Sequence, residues 1–407
     1  MKRALQLYML RCRFLVGKME VFMLIEIKGV QFVNKGAELM LHAILQQLNL
    51  HFPHAEICLA HNVNSPYKKR AAIGAYQKIN LRKNVVDLNR LFYFFPAFIR
   101  RYFKNRFGIV TEADVDVILD ASGFGYGDQW SDLIMQQVAC EVTRMKRLDK
   151  KYIFMPQSLG PFTRPKNKKY AQQAFANASL VFARETPSYE HIVSLVQGHT
   201  NLFRAPDFTN LLVPENQPQY CQYKDSIIVI PNSKMLSKKN KDKWWRENYV
   251  TVIVNLIEQA FEAGEKVIIL NHSGSDDALL CSQIIERLSR ECEIIEPSDA
   301  ILVKSLIGQG KLVISSRFHG CVSALSQAIP CIATGWSHKY QELFNEYESV
   351  DLLLNTGISK EELGNLLNKC LINKEIRQEA LLVYALKYKQ QSTDMWEKVF
   401  STLKSSQ

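Results

Sequence analysis

The chain has no Cys-x-x-Cys pair, and its nine cysteines are an odd number, which argues against a disulfide framework and for a reduced, cytoplasmic protein. Cys321 and Cys331 lie among small and apolar residues and read as buried thiols rather than nucleophiles. Helix-turn-helix, zinc-finger and RNP-like patterns are missing and the basic residues are dispersed, so nucleic acid is not an expected partner. No low-complexity run occurs, and disorder is not expected away from the ends. The first 22 residues are broken by Lys2, Arg3, Arg11, Arg13 and Lys18, which leaves no apolar core of signal-peptide length, and export is not expected. Acids are the scarcer charge: 40 Asp and Glu against 51 Lys and Arg give +11, which favours anionic partners such as phosphorylated small molecules or an anionic membrane surface.

At 407 residues the chain exceeds one ordinary core and suits two domains of about 200 residues each. Strand-like runs alternate with helical ones almost throughout, the pattern of an α/β protein. Expected strands include Leu24–Ile27, Val115–Asp120, Leu180–Ala183, Ile227–Ile230 and Lys266–Leu270, each followed by a loop at its carboxyl end. Periodicity is lost around Leu212–Asp225, which carries two prolines as a linker would. The expected organisation is a basic extension over 1–22, an N-terminal lobe over 23–212, a linker over 213–225, a C-terminal lobe over 226–380 and a helical tail over 381–407.

The most informative stretch runs from Leu312 to Ala328. Val313 and Ile314 suit a strand, and Ala324, Leu325 and Ala328 have helical spacing in a run beginning at Gly320. Arg317 and His319 then stand at the strand's carboxyl end, before a helix whose N–H groups and dipole attract phosphate or carboxylate. Arg317 can grip such an anion bidentately and His319 can move a proton. Continued through Gly335 to Lys339, this block resembles the signature of the polysaccharide pyruvyl transferase family, where an S-x-R-x-H segment precedes a helix, a Pro-led strand and a Gly-x-x-x-Lys-like turn. Asn34-Lys-Gly36-Ala-Glu38 looks like that family's N-terminal loop, and Ala121 to Asp128 looks like its Gly-rich loop, with Ala121 and Ser122 in place of the leading glycines. The resemblance covers roughly residues 23 to 345. It implies two Rossmann-like lobes facing a cleft, a glycosyltransferase-B-like arrangement.

The activity it implies moves the enolpyruvyl unit of phosphoenolpyruvate onto two hydroxyls of one sugar in a surface polysaccharide or its precursor, giving a cyclic ketal and phosphate. The donor needs cations, its methylene carbon needs an acid, and the sugar needs polar or carboxylate partners. By this resemblance Arg317 and His319 serve catalysis and donor binding, with Lys339 as a further cation. Arg184 either reaches the same cleft or pairs with Glu185. Asn232, Ser233 and Lys234 either hold the donor or make an ordinary turn. On the acceptor side stand Asn34, Glu38, Gly125, Gly127 and Asp128, with Asp128 as general acid or sugar-orienting group and Glu38 alternatively complementing a helix dipole. No cofactor beyond the donor substrate is expected. His272 with Asp276 and Asp277 matches no standard zinc spacing, Asp276 is expected to cap a helix, and no metal is expected.

The segment Leu91 to Arg106 mixes aromatics with a basic cluster, the pattern of contact with a membrane surface or a lipid-linked saccharide; the alternatives are a mobile flap or a helix whose aromatics enter the core. Two rival functions share the overall pattern. One is a nucleotide-sugar-dependent glycosyltransferase, and the other is a non-catalytic saccharide- or nucleic-acid-binding module.

Overall fold

Short, mostly apolar runs make the central strands: Leu-Ile-Glu-Ile from 24, Val-Ile-Leu from 117, Ile-Ile-Val-Ile from 227 and Val-Ile-Ile-Leu from 267 are buried throughout. Such runs suit parallel strands covered by helices on both faces, whereas a half-solvated sheet would alternate apolar with polar residues. The computed structural model describes residues 23–404 except 199, 215–217, 239 and 336, so the expected extension over 1–22 lies outside the described residues.

The N-terminal lobe contains, in chain order, β1 (Leu24–Lys28), β2 (Glu56–Ala60), β3 (Tyr76–Lys78), a separate antiparallel hairpin of β4 (Arg82–Lys83) and β5 (Val86–Asp87), then β6 (Ile109–Val110), β7 (Val117–Asp120), β8 (Lys151–Gln157), β9 (Leu180–Ala183) and β10 (Leu202–Arg204). The eight strands outside the hairpin form one parallel sheet in the order β10-β9-β8-β7-β1-β2-β3-β6. β7 starts two residues later than expected because the Thr111–Asp114 capping box holds a 3₁₀ turn up to Val115. The C-terminal lobe contains β11 (Ile227–Ile230), β12 (Val267–Leu270), β13 (Glu293–Ile295), β14 (Leu312–Ser315) and β15 (Cys331–Ala333), parallel in the order β13-β12-β11-β14-β15. Each sheet reverses its winding once, between β1 and β7 in the first and between β11 and β14 in the second, and such switch points are where open α/β sheets bind ligands.

Seven helices position the features that matter below: α1 (Lys35–His51), α2 (Ala97–Phe107), α3 (Asp132–Arg147), α4 (Gly274–Ile285), α5 (Phe318–Leu325), α6 (His338–Glu346) and α7 (Lys374–Lys404). α7 begins before the expected boundary at 381 and belongs to both lobes. Its Leu381, Ala385 and Tyr388 enter the C-terminal core, while Met395, Trp396, Val399 and Phe400 enter the core of the N-terminal lobe. The expected linker is also partly structured, since Tyr220 and Tyr223 on a 3₁₀ turn are buried in the C-terminal core. Buried Lys304 of that lobe donates to the Thr209 carbonyl at 2.6 Å, a further tie across the boundary.

Candidate active site

A cleft of about 770 Å³ opens between the two switch points, a size suited to small-molecule binding. Asn34 reaches it from the loop after β1, Gly123 and Phe124 from the loop after β7, Arg184 from β9, Asn232 and Lys234 from β11, His272 from β12, Arg317 and His319 from β14, and Lys339 from β15. All these loops leave the carboxyl ends of their strands, as the sequence pattern anticipates.

The turn into α5 is made locally. Ser315 Oγ accepts the Arg317 N–H at 3.1 Å, so the helix starts at Phe318, two residues before the expected start, with Arg317 as its N-cap residue and His319 in its first turn. Arg317 Nη2 pairs with Asp277, a fully buried acid of α4 whose other oxygen accepts the Ser233 N–H at 3.0 Å. Ser233 thus supports the site from behind and does not line the cleft. Asp277 is committed to Arg317, and Asp276 does not cap α4, because the N-cap residue is Ser273 and Asp276 lies in the first turn. Asn232 caps the next turn through Lys234 N–H at 3.0 Å and donates to the Ser316 carbonyl at 2.8 Å.

Opposite, Arg184 is buried and held by Asp207 at 3.0 Å, Ser158 at 2.7 Å and Glu185 at 3.4 Å, with its guanidinium 4.3 Å from the centre of the Phe318 ring. Both expectations for it hold at once, the cleft and the Glu185 pair. Asp207 also stands 3.6 Å from His319 Nε2, an atom that makes no hydrogen bond among the described residues. Gly36 at the start of α1 lets the lobes meet, because a Cβ there would collide with the His319 imidazole. The Lys339 ammonium sits over the rings of Phe124 at 5.4 Å and Phe318 at 4.9 Å.

Six Lys or Arg and two His line the cleft, and among its described lining residues no Asp or Glu appears. The acids Asp207, Asp277 and Glu185 stand one layer back, where they hold Arg184 and Arg317 in place. Burial pulls the His319 imidazole down to about 4 despite Asp207, with Arg184 and Lys339 adding to the effect. Burial and the neighbouring Arg184 likewise bring the Lys339 ammonium to about 7. At neutral pH His319 is therefore uncharged, while Lys339 is poised between its two forms.

Three acceptor-side expectations meet a different geometry. Glu38 is buried, pairs with Lys35 at 2.7 Å and faces a neighbouring groove with His42 and Lys69, because Ala37 and Met40 take the cleft face of α1. Gly125 and Gly127 lie outside the cleft lining, and Gly127, at φ 151°, packs so close to the Gly160 carbonyl that no side chain fits. Asp128 fastens the same loop, accepting from Thr163 Oγ1 at 2.7 Å and from Asn167 at 2.8 Å. Burial would raise its carboxyl, but those hydrogen bonds outweigh it and hold it at about 2, so Asp128 carries no proton to give as a general acid near neutral pH. Asp128→Asn should accordingly cost about 1–3 kcal/mol of stability and leave donor affinity unchanged, as thermal melting and calorimetry would register. Asp207 escapes a reading of local sequence because the strand before it, β10, is only three residues long. Trp130 and Phe124 add aromatic surface to the N-terminal wall of the cleft, joined by a hydrogen bond from Trp130 Nε1 to the Phe124 carbonyl at 2.8 Å.

A sequence profile of the polysaccharide pyruvyl transferase family matches residues 34–338, a span that runs from the cleft's Asn34 through the Arg317 and His319 block. The chain belongs to this enzyme family. A comparison with curated proteins returns no match. Among solved structures, UDP-GlcNAc 2-epimerase from Neisseria meningitidis bound to UDP-GlcNAc is similar at 11% identity, covering 93% of this chain and 100% of that one with a TM-score of 0.59. A glycosyltransferase from Rickettsia africae is similar at 13% identity, covering 94% and 99% with a TM-score of 0.57. At such identities the likeness concerns the fold, and it matches the two-lobed arrangement of this pyruvyl transferase family member.

Proposed function

We propose that the cleft transfers the enolpyruvyl group of phosphoenolpyruvate to two hydroxyls of one sugar in a polysaccharide or its precursor. The observation that carries this reading is the cleft's composition: six fixed or titratable cations and no lining carboxylate suit a small, highly charged anion with a phosphate at one end and a carboxylate at the other. Arg317, oriented by Asp277, takes the phosphate at the start of α5, and Arg184 with Lys339 takes the carboxylate. Phe124 and Trp130 offer a sugar ring an apolar face.

Proton balance assigns the remaining roles. Phosphoenolpyruvate and a diol give the ketal and phosphate when one hydroxyl proton ends on the methylene carbon, making it methyl, and the other ends on the departing phosphate. Neutral His319 takes a hydroxyl proton at Nε2, where Asp207 stabilises the resulting imidazolium. Lys339, near its titration point, gives a proton to the methylene carbon. The donor brings its own leaving group, so the reaction calls for no cofactor.

Purified protein incubated with phosphoenolpyruvate and a panel of sugar acceptors should release phosphate and form a ketal detectable by mass spectrometry. Release of nucleoside diphosphate from activated sugars, with phosphoenolpyruvate inert, would instead make the protein a glycosyltransferase of the same architecture. The proposal also sets a pH dependence. Lys339 is charged below about 7 and neutral above it, and an anion prefers the charged form, so donor affinity present at pH 6 is lost as pH rises through that value. Calorimetry should show at least about a tenfold weakening between pH 6 and 9, and Lys339→Met should weaken binding at pH 6 and flatten the profile.

A further inference from the structure

The basic aromatic segment identified in the sequence does not enter the core. Phe94 is 82% exposed, Phe98 73%, Tyr102 60% and Phe107 54%, and α2 has no buried residue. Large aromatics left in water on an otherwise well-packed lobe mark a surface that something covers. From Leu88 to Phe107 the chain has Arg90, Arg100, Arg101, Lys104 and Arg106 and no acid. Arg100 and Lys104 are turned inward against Asp114 and Glu56, whereas Arg90, Arg101 and Arg106 are exposed. At 100° per residue Arg101 and Arg106 flank the stripe of Phe98 and Tyr102, so α2 presents aromatics rimmed by cations.

We propose that this face docks peripherally on an anionic phospholipid bilayer. Aromatic side chains favour the interfacial zone of a membrane and flanking arginines favour its anionic headgroups. A second copy of the chain fits the face poorly, because a two-fold contact would set exposed arginines against their own symmetry mates with no acid between them. Insertion across the bilayer is not involved, since no helix among the described residues is long and apolar enough to cross it. The segment also has a definite place relative to the cleft. Tyr93 reaches Glu112 at 3.2 Å and carries the Lys150 ammonium over its ring, Arg100 pairs with Asp114 and Lys104 with Glu56, so α2 lies along the edge where β2, β7 and β8 begin, away from the carboxyl-end loops that form the cleft. The proposal does not depend on which donor the cleft uses.

Sedimentation with vesicles tests it directly. The full-length protein should co-sediment with phosphatidylcholine vesicles containing an equal share of phosphatidylglycerol and not with pure phosphatidylcholine, and binding should fall at least about tenfold at about 0.5 M salt. A Phe94→Ser, Phe98→Ser, Tyr102→Ser variant should melt like the parent, since these side chains support no core, yet lose binding. An Arg101→Glu, Arg106→Glu variant should lose it as well. Equal sedimentation of parent and variants, or no binding of the parent to anionic vesicles, would overturn the proposal. A parent that is dimeric by analytical ultracentrifugation and becomes monomeric in the Ser variant, without lipid binding, would do so too by giving the face to a second copy.

Discussion

His319→Gln should lower turnover by about 10²–10⁴-fold while changing donor affinity by less than about tenfold. The imidazole is partly buried and uncharged near pH 7, so it adds little Coulomb attraction to an anionic donor, and its contribution lies in taking a proton. Gln keeps a hydrogen-bonding group of similar reach but cannot accept a proton at neutral pH. Asp207→Asn should reproduce part of the loss, because the imidazolium formed 3.6 Å from that carboxylate would lose its stabilising charge. Steady-state kinetics with calorimetry separates the two effects. A kcat equal to the parent's would leave His319 as a positioning residue.

Removing Arg317 should act on binding instead, with a complication visible only in three dimensions. Arg317→Ala should weaken phosphoenolpyruvate by at least about 1.5–3 kcal/mol, roughly 10–150-fold, as expected for losing a charge-assisted contact. It also leaves the fully buried Asp277 without its counter-ion, which for a buried pair costs about 3–5 kcal/mol of stability. A double variant, Arg317→Met with Asp277→Asn, removes the stranded charge and keeps an acceptor for the Ser233 N–H. Its melting temperature should recover most of the loss while donor binding does not. Recovery of binding along with stability would show that Arg317 acts through the fold and not on the donor.

The α/β class was legible in the sequence because strand-like runs alternate with helical ones, and strands such as Ile227–Ile230 and Val267–Leu270 are short, unbroken apolar runs. The Arg317 and His319 turn was legible because residue type and element boundary coincide there. Less was visible at the start of α1. Helical spacing separates Ala37 and Met40 from Glu38 and His42, but nothing local says which pair faces the cleft. Asp128 looked like an acid because its partners lie 35 and 39 residues further on, in the loop and helix start after β8 that the pairing of β7 with β8 brings to it. Asp277 was noted beside His272 without its arginine partner and Asp207 was missed, for the same reason, since they lie 40 and 23 residues from the arginines they hold. Buried counter-ions of this kind are set by topology, and a single sequence carries no local trace of them.

If the cation-lined cleft is a site for phosphoenolpyruvate, isothermal titration of the parent protein with that compound should show it. One site per chain is expected, with affinity that falls as pH rises from 6 to 9 and collapses in the Arg317→Met, Asp277→Asn variant. Absence of heat with phosphoenolpyruvate, together with saturable binding of a nucleotide sugar that survives in the variant, would contradict it.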